Sequence, residues 1–278
     1  MSNISTLKQF NQMVSATPTQ NHLKDVLGAK APQFVCNLTS LVANSTQLQQ
    51  CEPVSLMYAA LKATSLELPF DSNLGFAYVI PFWSGKNKRY EGQFQIGYKG
   101  FIQLALRSGQ FTTLNVREVR EGEIIDEDFV TGEMKFKALP ASERMSAPVI
   151  GYMAFFRLVN GFSKMLYMSK EEMTAHAARY SQTFSNEKTK GSSKWSTDFD
   201  AMARKTALKM LLSKYAPMSV QMLDAIQADQ AVIGKDDKYT YIDNETIVDT
   251  QVATAEIAEA VIAETEANEA VIEQVMFS

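Results

Sequence analysis

Hydrophobic and polar positions along this chain repeat with two different periods, in separate blocks. From Pro32 the apolar residues Phe34, Leu38, Leu41 and Val42 keep helical spacing, and the proline suits the first turn. Glu52-Pro53 starts another helix along Leu56, Met57, Ala60, Leu61 and Ala63, and Leu68-Pro69 stops it. Past the turn Asp71-Ser72-Asn73 the period falls to two. Phe76, Tyr78, Ile80 and Phe82 share one face of a strand over 74–82, and Phe94 and Ile96 alternate with Gln93 and Gln95 on the return strand. A helix then runs to Arg107, Gly109 ends it, and 115–120 reads as a strand.

Two hairpins follow, at Thr131-Gly132 and at Asn160-Gly161. The second has arms 148–159 and 162–168, and Asn-Gly fits a type I′ turn. Ser169-Lys170-Glu171-Glu172 is a capping box that opens a helix to about Tyr180. A Ser/Thr/Lys-rich loop over 181–196, expected to be mobile without a ligand, leads to a helix over 198–214. That helix has Phe199, Met202, Ala203, Thr206 and Met210 on its buried face. Helices and antiparallel hairpins are segregated rather than alternating, which makes the fold class α+β, hairpins and sheet packed with helices. Helical signals begin near Asn21. The chain therefore divides into a flexible N-terminus (1–20), a core (21–228), and a flexible linker with an acidic helical C-terminal tail (229–278). Ile257, Val261, Val271, Ile272 and Val275 are the apolar positions of that tail.

Charge sharpens this division. The net charge is −4, but 13 acidic residues and two lysines over 223–278 give −11, which leaves +7 for 1–222. A basic body of this kind attracts polyanions, and an acidic tail repels them or engages partners. A hydrophobic content of 46% is ample for a core. Cys36 and Cys51 form no short metal-ligand pair and read as free thiols in a reducing compartment. With no membrane-length apolar run and no signal-peptide order at 1–12, the expected location is the cytoplasm, with no membrane partner.

The candidate chemistry is cationic and aromatic. Lys99, Gln103 and Arg107 at i, i+4 and i+8 lay one polar stripe along an otherwise apolar helix. The preceding hairpin tip carries Trp83, Lys86, Lys88 and Arg89. The loop offers Lys194 and Trp195, and the helix after it carries Arg204, Lys205 and Lys209. Cations hold backbone phosphates, and loop tryptophans stack on bases, so the twelve positions form a candidate single-strand DNA surface. No Walker A loop and no G-x-G-x-x-G occurs, which disfavours ATP-driven chemistry. His22 and His176 are the only histidines, which leaves zinc sites and His triads little support. Asp126, Glu127 and Asp128 are a dense carboxylate run, but neighbours on a strand point to opposite faces. The run therefore reads as a solvated hairpin flank rather than nuclease metal ligands. A metal-dependent nuclease and an adaptor acting through the acidic tail are the rival readings.

Several ordered blocks carry a family resemblance. They are Leu74-Gly75-Phe76-Ala77-Tyr78-Val79-Ile80-Pro81-Phe82, the run from Gln93 through Gly97-Tyr98-Lys99-Gly100-Phe101 to Gln110, Val116-Arg117-Glu118-Val119-Arg120-Glu121-Gly122-Glu123, the arm 151–162, and Ala201-Met202-Ala203-Arg204-Lys205-Thr206. Together, over roughly 32–222, they resemble the phage and prophage RecT recombinases, with the Redβ group more distant. The resemblance implies an ATP-independent protein that binds single-stranded DNA and the annealed duplex, with an α+β core that oligomerises into rings or helical filaments. Lys99, Arg107, Lys205 and Lys209 match shared segments, and phosphate contact is the role it carries over to them. It further implies a bacterial host cytoplasm, no required cofactor beyond Mg2+ accompanying DNA, and partnership with a phage exonuclease and the host single-strand-binding protein through the tail.

Overall fold

The computed structural model describes residues 3–128, 130–234 and 239–241. The chain starts with α1 (Asn3–Ser15), α2 (Thr17–Leu27), α3 (Ala31–Ala43) and α4 (Pro53–Ser65). The hairpin β1 (Ala77–Ser84) and β2 (Arg89–Ile96) follows, then α5 (Tyr98–Arg107), β3 (Phe111–Arg120), and a second hairpin of β4 (Ile124–Asp128) and β5 (Glu133–Phe136). After α6 (Ala141–Ser146) come β6 (Val149–Leu158), β7 (Ser163–Ser169) and α7 (Lys170–Tyr180). Short helices α8 (Gln182–Ser185) and α9 (Lys194–Thr197) lead to α10 (Phe199–Tyr215), α11 (Val220–Ala228), β8 (Ala231–Ile233) and β9 (Tyr239–Tyr241). The sheets are β1-β2-β8-β9, β3-β6-β7 and the isolated pair β4-β5, every named pairing antiparallel. The class is α+β, as the segregated blocks predict.

Two apolar cores result. The larger lies between the first sheet and α1–α5 with α11, and the smaller under the second sheet against α7, α9 and α10. Helix α10 is the wall between them: Leu208 and Leu212 enter the first core, Ala203, Ala207 and Leu211 the second. It is buried on two sides, not on the one apolar face read from its sequence. Close packing also explains two glycines at the start of α5. A Cβ at Gly97 would lie 2.1 Å from the Gly75 carbonyl oxygen, and one at Gly100 would lie 2.2 Å from that of Phe76, so only glycine lets this helix meet the 75–76 backbone.

Four local readings are corrected. The flexible N-terminus is two helices: Phe10, Val14 and Leu23 are buried in the larger core, and their wide spacing among Gln, Asn and Thr concealed the pattern. The Asn160-Gly161 turn is not type I′. Only Gly161 has positive φ (90°) in this turn, and the Leu158 amide donates to the Phe162 carbonyl at 2.8 Å while the Leu158 carbonyl accepts from the Gly161 amide at 3.1 Å, which makes a three-residue connection. The loop over 181–196 is organised by serine caps at Ser181 and Ser193 into two short helices. The linker read from Gln230 begins as sheet instead. Ala231 pairs with Phe94, Ala231–Ile233 are buried, and the Gln230 amide donates to the Phe94 carbonyl at 3.0 Å.

The compact unit that contains these elements is Met1–Asp243. The acidic-tail reading falls on residues 244–278, outside the described residues. Among the described residues no helix is long and apolar enough to cross a membrane.

A truncation series tests this boundary. A chain ending at Asp243 should fold and melt like the full chain. One ending at Ala228 loses Asp229 and the strand on β2, and should be insoluble or lack a cooperative thermal transition. A cooperative melt of the shorter chain within a few degrees of the full one would contradict the assignment.

Candidate nucleic-acid interface

The stripe on α5 divides into two kinds of residue. Lys99, in the first turn, is exposed and makes no ion pair among the described residues. Gln103 is half-buried one turn on. Arg107 is exposed but tied to its own fold: Nη1 donates to the Leu66 carbonyl at 2.8 Å and Nη2 to that of Glu67 at 2.7 Å, with the Glu67 carboxylate 3.8 Å away. These carbonyls end α4, where the helix leaves acceptors unpaired and a partial negative charge, so the guanidinium acts as a cap. Glu67 there has φ of 54°, which the cap helps hold.

The α10 cations are also largely bound internally, and by a residue the sequence reading placed in the linker. Asp229 has a fully buried side chain. Its Oδ1 accepts from the Ile96 amide at 3.0 Å and lies 3.5 Å from Lys205 Nζ, and Oδ2 accepts from Lys209 Nζ at 2.7 Å. Burial alone would raise the Asp229 pKa, but the two ammoniums and the amide outweigh it and hold it below the usual carboxylate value. Lys205 is only 8% exposed. Burial pulls its pKa below the ordinary lysine value despite Asp229. Lys205 is therefore a structural cation, whereas the Lys209 side chain keeps 29% of its surface open. A lone acid within the apolar run 225–233 was the signal that marks Asp229 in the sequence.

Arg204, next to Lys205 on this helix, turns instead toward Glu118 of β3. Its Nε donates to the Asp200 carbonyl at 3.2 Å and lies 3.7 Å from Glu118 Oε1, yet 41% of its side chain remains exposed. Its charge lowers the Tyr98 pKa against the larger, raising effect of burial. Helices α5 and α10 are in contact, with Lys99 exposed and Arg204 partly so. Glu118 also lies 3.7 Å from Arg120 Nη2, and its carbonyl accepts from Arg144 Nη2 at 3.1 Å, so one acid anchors three arginines.

At the β1–β2 tip, Trp83 and Tyr90 are exposed and meet edge to face, centroids 5.1 Å apart. Lys86 and Lys88 are exposed without ion pairs among the described residues, while Arg89 is held 2.9 Å from the buried Glu91. Lys194 is exposed. Trp195 is not the loop stacking platform the sequence suggested: it is 6% exposed and packs on Phe199 in the smaller core, centroids 5.4 Å apart. Asp126, Glu127 and Asp128 line an exposed hairpin as expected. Asp126 pairs with Lys135 at 3.1 Å, and Asp128 accepts from the Val130 and Thr131 amides of its own turn, which lower its pKa. Among the described residues no three His, Cys, Asp or Glu side chains are grouped to hold a metal.

Comparison with known proteins adds a family to this geometry. The RecT family profile matches residues 32–246. Protein RecT of Escherichia coli K12 is 30% identical over 228 residues, covering 79% of this chain and 81% of that protein. YqaK of Bacillus subtilis 168, itself uncharacterized, is 36% identical over 239 residues, covering 86% and 78% respectively.

Two outcomes separate framework cations from surface ones. Arg107→Ala should cost about 1–3 kcal/mol of stability by uncapping α4, and Lys99→Ala should stay within about 0.5 kcal/mol, both read from chemical denaturation. Equal effects would remove the distinction. His176 reports on the Lys209 end: burial, reinforced by Lys209 and Arg179, pushes its pKa from 6.5 down to about 4. Its folded value is the lower one, so its contribution is complete above about pH 6.5 and is lost as pH falls toward 4, on the order of 2 kcal/mol after screening. His176→Gln should flatten the denaturation midpoint across that window. An unchanged pH profile would show that His176 is not the group responsible.

Proposed function

This chain belongs to the RecT family of DNA recombination and annealing proteins, and we propose that it anneals complementary single strands without ATP. Lys99 carries the reading: an exposed cation at the positive end of α5, within a shared family block and without an ion pair among the described residues, while Arg204 on α10 keeps 41% of its side chain open. A phosphate backbone fits this surface, with Gln103, Lys209 and Lys194 as further polar contacts. Arg107, Lys205 and Trp195 serve by holding the surface in place. Neutralising phosphates while leaving base edges outward lets Watson–Crick pairing supply all sequence specificity. No bond is made or broken, so no catalytic residue and no nucleotide cofactor is required, and Mg2+ enters only with the DNA.

One chain offers a short track, so a homo-oligomer, ring or helical filament, continues it from copy to copy. The working location is the bacterial host cytoplasm. An exonuclease that produces single strands and a host single-strand-binding protein are the proposed partners, met through the acidic residues after Asp243. The adaptor reading differs in one respect: it needs no cationic face.

Complementary oligonucleotides should pair faster with the protein present, ATP absent, and their lengths unchanged. Lys99→Ala and Arg204→Ala should each weaken single-strand binding for every sequence and reduce the salt slope by about one unit per lost phosphate contact. Strict ATP dependence or shortened strands would replace annealing with a motor or a nuclease. An unaltered salt slope in both variants would move the strand elsewhere.

A further inference from the structure

The chain carries two projecting hairpins of opposite character. The β4–β5 pair bonds to no other strand among the described residues, and an isolated two-stranded hairpin is marginal in water. It nevertheless displays Ile125 at 61% and Val130 at 90% exposure, apolar surface that calls for cover. Around these lie the exposed acids Asp126, Glu127, Asp128 and Glu133, outnumbering the cations that meet the hairpin: Lys135, paired with Asp126, and Lys164, which donates to the Thr131 carbonyl at 3.1 Å. The β1–β2 tip is the complement: Lys86, Lys88 and Arg89 surround the exposed Trp83 and Tyr90. Among the described residues no ion pair joins the two hairpins within one chain.

We propose that the acidic β4–β5 hairpin of one copy receives the basic, aromatic β1–β2 hairpin of the next. Charge complementarity selects this occupant: among the described residues the β1–β2 tip joins exposed aromatic area to the opposite sign, and another copy of the same chain presents it. The contact is heterologous, using a different patch on each side. Every added copy therefore leaves one hairpin of each kind unfilled, and the assembly extends as a filament or closes as a ring. The contact gives the oligomer named in the proposed function a physical joint, but does not depend on DNA being the ligand.

The test uses full-length chains with charges reversed at side chains that make no internal hydrogen bond. One variant is Glu127→Lys with Glu133→Lys, and the other is Lys86→Glu with Lys88→Glu. Assembly is measured by sedimentation and electron microscopy, with and without an oligothymidine strand. Each variant alone should assemble at least tenfold more weakly than wild type while keeping its thermal melt. An equimolar mixture should recover assembly, because each reversed hairpin then meets a matching one in the other variant and each unreversed hairpin still meets its natural partner. Variants that assemble normally, or a mixture that fails to recover, would overturn the joint, as would a wild-type chain that stays monomeric in both conditions. Loss of DNA binding with intact assembly in the Lys86/Lys88 variant would likewise overturn it and place the hairpin on DNA. Failure of annealing with the charge-swap result intact would instead count against the proposed function alone.

Discussion

The buried Asp229 carboxylate is the constraint on which the arrangement depends. An ionised carboxylate out of water costs several kcal/mol unless it is paired and fully hydrogen-bonded, and removing one partner from such a cluster costs about 3–5 kcal/mol. Here the partners come from three parts of the chain: the Ile96 amide at the end of β2, and Lys205 and Lys209 on α10, with Asp229 itself between α11 and β8. Satisfying that acid fixes where the last strand joins the sheet, how α10 lies against it, and where β2 ends. Gly97 opens α5 immediately afterwards, so the position of Lys99 follows from a charge cluster it never touches. The close approach permitted by Gly97 and Gly100 then holds the first turn of α5 against the 75–76 backbone.

The same cluster explains why α10 could not be read from its own pattern. A helix with one solvent face shows one apolar stripe, and lysines outside that stripe are expected in water. α10 instead separates two cores, with Leu208 and Leu212 on one side and Ala203, Ala207 and Leu211 on the other. Lys205 has no route to bulk solvent along such a wall and survives only because an acid twenty-four residues later is folded back against it.

What was legible in the sequence was what local geometry decides. The β1–β2 alternation, the helix from Gly97, the Ser169–Glu172 capping box and the exposed acidic hairpin all rest on spacing or on groups a few residues apart. What was hidden depends on tertiary contact. Phe10, Val14 and Leu23 are too sparse to signal helices until the larger core receives them. Trp195 looks like a loop aromatic until α9 turns it onto Phe199. The Asn160-Gly161 pair announces a turn, but its loop length is set by the register of β6 with β7. The family-shared blocks contain Lys99, Arg204 and Lys205, while the partner of each cation had to be seen.

The division among cations follows from how helices and sheets close. A long cationic side chain late in a buried helix lies near the carbonyl ends and acids of neighbouring elements and is drawn to them, as Arg107 is to the end of α4 and Lys209 to Asp229. A cation in a helix's first turn or at a hairpin tip has no such acceptor at hand, and Lys99, Lys86 and Lys88 remain open to solvent. The excess of positive charge in the body therefore overstates its external field, since part of it is neutralised internally. What remains is concentrated where elements begin and turn, which is where a polyanion or an acidic surface of another copy meets the least steric obstruction.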